Sequence, residues 1–366
     1  MLRMPSTRYL TVLAVLVLQA PALSAMPITL GDAGQFNALI LGDMAAYRSD
    51  VEGRLAVAGD LQISDYSVGL LLDDSDGGRD DLIVGGDAEI SNSRIHHGNA
   101  VVGGNATIGT DQDGHETVGF YSDDDPHTLN GSLLEAESII DFGSLANDLI
   151  NRSVDWGALE STGETLTEWG NLTFSGDGDL NIFTVSAELF SKGDKSITFD
   201  IPDASVALVN VFGEEVELFD TGFFHTALDG GNRQFPDNTP DSRHDGALSN
   251  NILFNFVEAT TLDLYSVGIK GSILAPHAAT RFYNGHIDGN FIVGSFNAGS
   301  ASQPGTGDQD WDAGQINDYA FSGFVPASSA TPIDEPSVDQ LVLVGACLLL
   351  LMLAGRSRPR KDARAR

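Results

Sequence analysis

Cysteine is almost missing: one copy in 366 residues, Cys347, lies inside the last apolar run of the chain. No intramolecular disulfide can form, so the fold must be held by packing, hydrogen bonds or a metal. Basic residues are scarce as well, 19 Lys and Arg against 52 Asp and Glu, for a formal charge of -33. Eight of the 19 sit at the two ends of the chain, leaving 11 against 51 acids between them. Phosphate binding needs clustered cations, so this balance excludes a nucleic-acid partner; it suits solubility, cation binding or mutual repulsion. No H-E-x-x-H, G-x-S-x-G or phosphate loop is written anywhere, and acidic pairs are too abundant for any one to mark a glycosidase dyad. The expectation is therefore a protein that is not an enzyme.

Long hydrophobic runs occur only at the ends. Residues 1–25, "MLRMPSTRYLTVLAVLVLQAPALSA", carry two arginines, an apolar stretch and small residues at Ala22, Ser24 and Ala25, the order of a secretory signal helix that is removed on export. At the far end come a linker and motif over 327–340, an apolar membrane helix over 341–355 and a basic tail over 356–366 expected to stay cytoplasmic. Its 14-residue apolar core, Leu341 to Ala354, is short beside the roughly 20 a spanning helix needs. This tail resembles the PEP-CTERM sorting signal of Gram-negative bacteria through Glu335, Pro336 and Ser337, although Asp334 stands at that motif's first proline. The resemblance implies a sorting protease of the exosortase type as partner and at least transient anchoring in the inner membrane, followed by release to the cell surface or matrix.

Glycine is plentiful, 41 against 13 prolines, and it is periodic. "VEGRLAV" (51–57), "HHGNAVV" (96–102), "IKGSILA" (269–275) and "IDGNFIV" (287–293) share a glycine, a small polar or charged residue and a mostly apolar triplet. "IVGGDAEIS" and "VVGGNATIG" lie 18 residues apart, as do Gly271 and Gly289, while "AVAGDLQIS" precedes its nearest copy by 27 across the polar insertion "LLLDDSDGGRDD". Short repeats of this kind point to a solenoid whose coils share one apolar interior and turn at glycines. A β-sandwich with glycine-rich turns is the alternative architecture.

Repeats on both sides of a non-repeating middle require residues from about 128 to 250 to leave the stack and return, so that first and last coils touch. Within that middle, Ser132 and Glu135 form a capping-box pattern ahead of Leu134, Ile139, Phe142, Leu145, Ala146 and Leu149, which predicts a lateral helix over about 132–151. "GDLNIFTVSAELF", "SITFDI", "ASVALVNVFG" and "NILFNFVEATTLDL" read as strands. The predicted fold is mainly β: a β-solenoid over 26–326 with one lateral α-helix, an N-terminal signal helix and a C-terminal membrane helix.

The body, from about 33 to 300, resembles the choice-of-anchor A domain through "FNALILGDMAAYRSDVEGRLAVAGDLQISDYSVG", "DLIVGGDAEIS", "IDFGSLANDL", "LNIFTV", "VALVNVFG", "ILFNFVEATTL" and "GSILAPHAATRFYNGHIDGNFIVGSF". That resemblance implies an exported surface protein, with adhesion to matrix proteins known among its members. The layout of "GSILAP" and "NGHIDGN" is also similar to that of ice-binding β-solenoids.

Calcium is the cofactor the acidic loops would take. Asp73, Asp74, Asp76, Asp80 and Asp81 crowd one loop, and Asp111, Asp113 and Glu116 another, giving hard oxygen ligands at short spacing. Neither completes the twelve-residue EF-hand pattern, and solvated solenoid loops are the alternative reading of both. His96, His97, His277 and His286 are expected as exposed corner residues, and Phe282, Tyr283 and Phe296 as either projecting contacts or packed side chains. The expected function is adhesion to an extracellular polymer or matrix protein, with ice binding or polysaccharide hydrolysis as alternatives.

Overall fold

The computed structural model describes residues 27–119, 131–136, 140–226, 232–235, 248–298 and 311–326. The chain divides into the unit Met26–Val325 and a second unit of Met1–Ala25 with Pro326–Arg366. Residues 1–25, the Glu335-Pro336-Ser337 motif and the apolar run over 341–355 lie outside the described residues. Among the described residues no helix is long and apolar enough to cross a membrane.

The apolar triplets become rungs of a parallel ladder. In spatial order the rungs are Leu180–Ser186, Val206–Phe212, Ile252–Phe256, the start of Ser272–Tyr283, the start of Phe291–Ala298, Ala38–Ile40, Leu55–Val57, Asp80–Val84, Asn99–Val102 and Leu133–Glu135. The chain thus enters mid-column, builds outward to one end, jumps to the other and builds back to where it began. Ala38–Ile40 pairs on one side with the second rung of its own half and on the other with Phe291–Val293, so first and last coils touch as topology required. Two further ladders complete each turn: one through Glu215–Phe219, Thr261–Tyr265, Met44–Val51, Leu61–Val68 and Ala88–Ser91, the other through Gly268–Lys270, His286–Asp288 and Gln315–Asn317. The described body is mainly β and solenoid-like, with a second sheet of five strands from Glu164 to Gln234.

The rungs are apolar throughout because both sides of this ladder are covered. Alternate residues point inward, as Leu55, Val57, Leu82, Val84, Ile273 and Val293 do. The residues between them, Leu39, Ala56, Ile83, Leu208, Leu253, Leu274 and Ile292, form a second core under helix α1, Phe142–Gly157. Sixteen residues span about 24 Å, most of the six steps of roughly 4.8 Å that separate the Asp80–Val84 and Val206–Phe212 rungs. That length carries the helix from Phe142 against Gly85 to Trp156, whose carbonyl accepts from Asn210 Nδ2 at 2.8 Å.

Two expectations need correction. The helix begins at Phe142, not near 132, because Asp141 Oδ1 accepts the Ser144 N–H at 2.9 Å and caps it. Leu133–Glu135 instead pairs with Ala100–Val102 as a last rung, and Glu135 reaches the Ala106 N–H at 3.1 Å rather than closing a capping box. Nor does the whole middle leave the stack: Leu180–Ser186 and Val206–Phe212 are rungs themselves, and helix α1 makes the crossing.

Candidate functional site

The glycines of the "GD" repeats are set by what stacks on them. Asp43 Oδ1 accepts the Asp60 N–H at 2.9 Å, Asp60 Oδ1 the Asp87 N–H at 2.9 Å, and Asp87 Oδ1 the Asn105 N–H at 2.8 Å. Each carboxylate lies over the glycine before the next member, and a Cβ on Gly59, Gly86 or Gly104 would overlap it. The result is an exposed column of Asp43, Asp60, Asp87 and Asn105 at the pitch of the coils.

Beside it runs the outward row of the neighbouring strands. Asn297, Ala45, Gln62, Glu89 and Thr107 stand in unbroken register, and Gln62 Nε2 donates to Glu89 Oε2 at 3.1 Å. The two rows line a groove of about 740 Å³ together with Ser295 and Phe296. Beyond Asn297 the same sheet face presents Arg281, bonded through Nε to Asp263 Oδ1 at 2.7 Å, then Glu217. Tyr265 donates to Glu217 Oε1 at 2.8 Å, and burial followed by that bond pushes the phenol well above its ordinary pKa. This face offers carboxylate acceptors with amide and hydroxyl donors in lines, a chemistry that fits a hydroxyl-rich chain. It holds no repeating threonine lattice, since the row from Glu217 to Thr107 contains a single threonine.

The acidic loops are organised differently from each other. In the first, Asp81 is fully buried and receives Arg79 Nε at 2.5 Å, Asp80 Oδ1 accepts from Asn99 Nδ2 at 3.1 Å, and Asp74 pairs with His97. Arg79 also donates to the Asp73 carbonyl at 2.8 Å, and Asp76 turns the loop at a φ of 49°. In the second, ligand atoms of Asp111, Asp113 and His115 lie within 4.8 Å of one another, all exposed. The N–H of His115 and then that of Asp113 hold Asp111 below its ordinary pKa. His115 was not among the expected ligands, whereas Glu116 turns back to bridge Thr110.

Other expected residues sit elsewhere. His96 is 2% exposed, inside the column rather than at an open corner, with its ring 5.9 Å from that of His97. His277 is exposed, and His286 lies 3.4 Å from Lys270 Nζ. Phe282, Tyr283 and Phe296 are buried in the core instead of projecting. Sequence reading missed Glu52, buried at the junction of first and last coils with its carboxyl raised to about 7, chiefly by burial.

A family model described as "Putative Ice-binding-like adhesive domain" matches residues 29–303. No curated protein matches the chain.

Proposed function

From its membership of the ice-binding-like adhesive domain family, which the match over about three quarters of its length shows, we propose that the chain is an exported, non-enzymatic adhesin that grips an extracellular polymer along the Asp43–Asn105 groove. The family supports an adhesive role at or beyond the cell surface. The observation that carries the choice of site is the register itself: donors and acceptors recur at each coil along an open groove, so a linear polyhydroxylated chain can be met at successive units. Charge on this face argues against ice as the ligand, because Arg281, Asp263 and Glu217 break any lattice of small hydroxyls.

The ends of the chain complete this proposal. Residues 1–25 would direct export, and Glu335, Pro336 and Ser337 with the following apolar run would present the tail to an exosortase-type protease, consistent with a choice-of-anchor A protein of a Gram-negative envelope. A glycan and matrix-protein array with the secreted body tests the central claim. Replacing Gln62, Glu89 and Thr107 by alanine, which among the described residues removes no side-chain bond to the backbone of a neighbouring rung, should weaken polymer binding at least tenfold with the thermal midpoint unchanged. Unaltered binding by the triple variant, or thermal hysteresis without polymer binding, would refute it.

A further inference from the structure

Glu164–Glu168 and Asn171–Ser175 form an antiparallel hairpin closed by two residues, with Glu168 opposite Asn171. Trp169 and Gly170 are those two residues, at φ of 54° and 85°. Positive φ at both central positions defines the type I′ turn, whose first position favours Asn, Asp or Gly. A bulky side chain there is an outlier, and local strain of this kind collects at functional sites. Trp169 gains no packing in return, for it is 91% exposed, whereas Trp156 is 1% exposed. The indole is therefore held out at a hairpin tip, against local backbone preference, open to a partner.

Its surroundings say what that is. Glu164, Leu166 and Glu168 alternate along the strand and share one side of the hairpin, and all three are exposed. Lys195, on the next strand but one of this sheet, does not neutralise them: its ammonium donates to the carbonyls of Leu189, Phe190 and Ser191. An exposed aromatic ring on a hairpin that also carries exposed carboxylates selects a cation, through attraction to the ring quadrupole and to the acids. We infer that the Trp169 hairpin is a second contact point, separate from the groove, that docks an arginine- or lysine-bearing segment of an extracellular protein.

Calorimetric titration of the protein with an arginine octapeptide, with tryptophan emission followed alongside in the parent, tests this. A glutamine octapeptide and a neutral glucan oligosaccharide serve as parallel probes. Trp169→Asn should weaken arginine-peptide binding at least tenfold while leaving the thermal midpoint equal to or above that of the parent, since Asn suits the turn. Glu168→Gln should weaken binding several-fold, and Trp169→Phe, which keeps an aromatic face, should bind within a few-fold of the parent. Equal binding by Trp169→Asn would assign the peptide to bulk negative charge and overturn the proposal. So would quenching by the glucan in place of the arginine peptide.

Discussion

Asp60 donates its backbone N–H to Asp43 Oδ1 at 2.9 Å and offers its own Oδ1 to Asp87 at the same distance. One side chain thereby satisfies the backbone of the coil beyond it and leaves its second oxygen at the groove. The device works only where nothing projects beneath the carboxylate, which is why a glycine precedes Asp60, Asp87 and Asn105.

Gly86→Ala tests that constraint. Its Cβ would overlap Asp60 Oδ1 and sit 2.8 Å from the Gly59 carbonyl oxygen, part of the neighbouring coil's backbone, so the substitution should cost about 1–3 kcal/mol, the range of an overpacked core site. Gly114→Ala is the comparison: it has φ +83° but open space around it, and backbone strain alone should cost about 1 kcal/mol. Urea unfolding of both variants measures the difference. A larger loss at Gly114 than at Gly86 would mean that coil contact is not what fixes these glycines.

Helix α1 is predicted to act as the brace between the two halves of the column. Ser153 Oγ donates to Asn255 Oδ1 at 2.6 Å, while Asn255 Nδ2 donates to the Ser153 carbonyl at 2.9 Å and to Asn210 Oδ1 at 2.8 Å. All three side chains are buried. Asn255→Ala strands Ser153 and Asn210 beneath the helix and should cost about 1–3 kcal/mol. A double-mutant cycle with Ser153→Ala, read by thermal unfolding, should show coupling of about 1 kcal/mol; strict additivity would remove the brace.

Much of this column was legible because its rungs repeat a local pattern. "LAV", "LIV" and "FIV" are apolar at every position since one set of side chains faces the interior and the other the helix. The return of the last coil to the first followed from where the repeats stood. What could not be read was set by contacts distant in sequence. Ser132 and Glu135 satisfy a local helix-start rule, yet Leu133 and Leu134 found partners in Ala100 and Val101, and tertiary pairing prevailed over the cap. Whether Phe282 and Phe296 project or pack could not be read from alternation, because the register shifts between Ala275 and Ala279. Asp60, Asp87 and Asn105 stood in the aligned repeats, but that Asp43, Asp60 and Asp87 each hold the backbone of the next coil was not legible, because it depends on where each carboxylate points once the coils stack.

The junction of first and last coils should make stability fall toward neutral pH. The Glu52 N–H donates to the Ile316 carbonyl at 2.9 Å, Glu52 Oε2 accepts the Asp318 N–H at 3.0 Å, and Gln315 Nε2 reaches Oε1 at 3.3 Å. Burial is the main force raising its carboxyl from 4.5 to about 7; Asp50, Asp288 and Asp318 add repulsion, and the Asp318 N–H opposes them. Asp288 is itself paired with Lys270 and lies 3.8 Å from His286. Burial raises Asp318 as well, in the same direction. Between 4.5 and 7 the folded protein therefore holds more protons at Glu52 than the unfolded chain does, and stability declines as pH rises through that window. The thermal midpoint should be several degrees higher at about pH 5.5 than at about pH 8. Glu52→Gln keeps the shape, removes the charge and should flatten that slope while raising the midpoint at the higher pH. A slope unchanged by Glu52→Gln would place the titrating group elsewhere, the first alternative being Asp318.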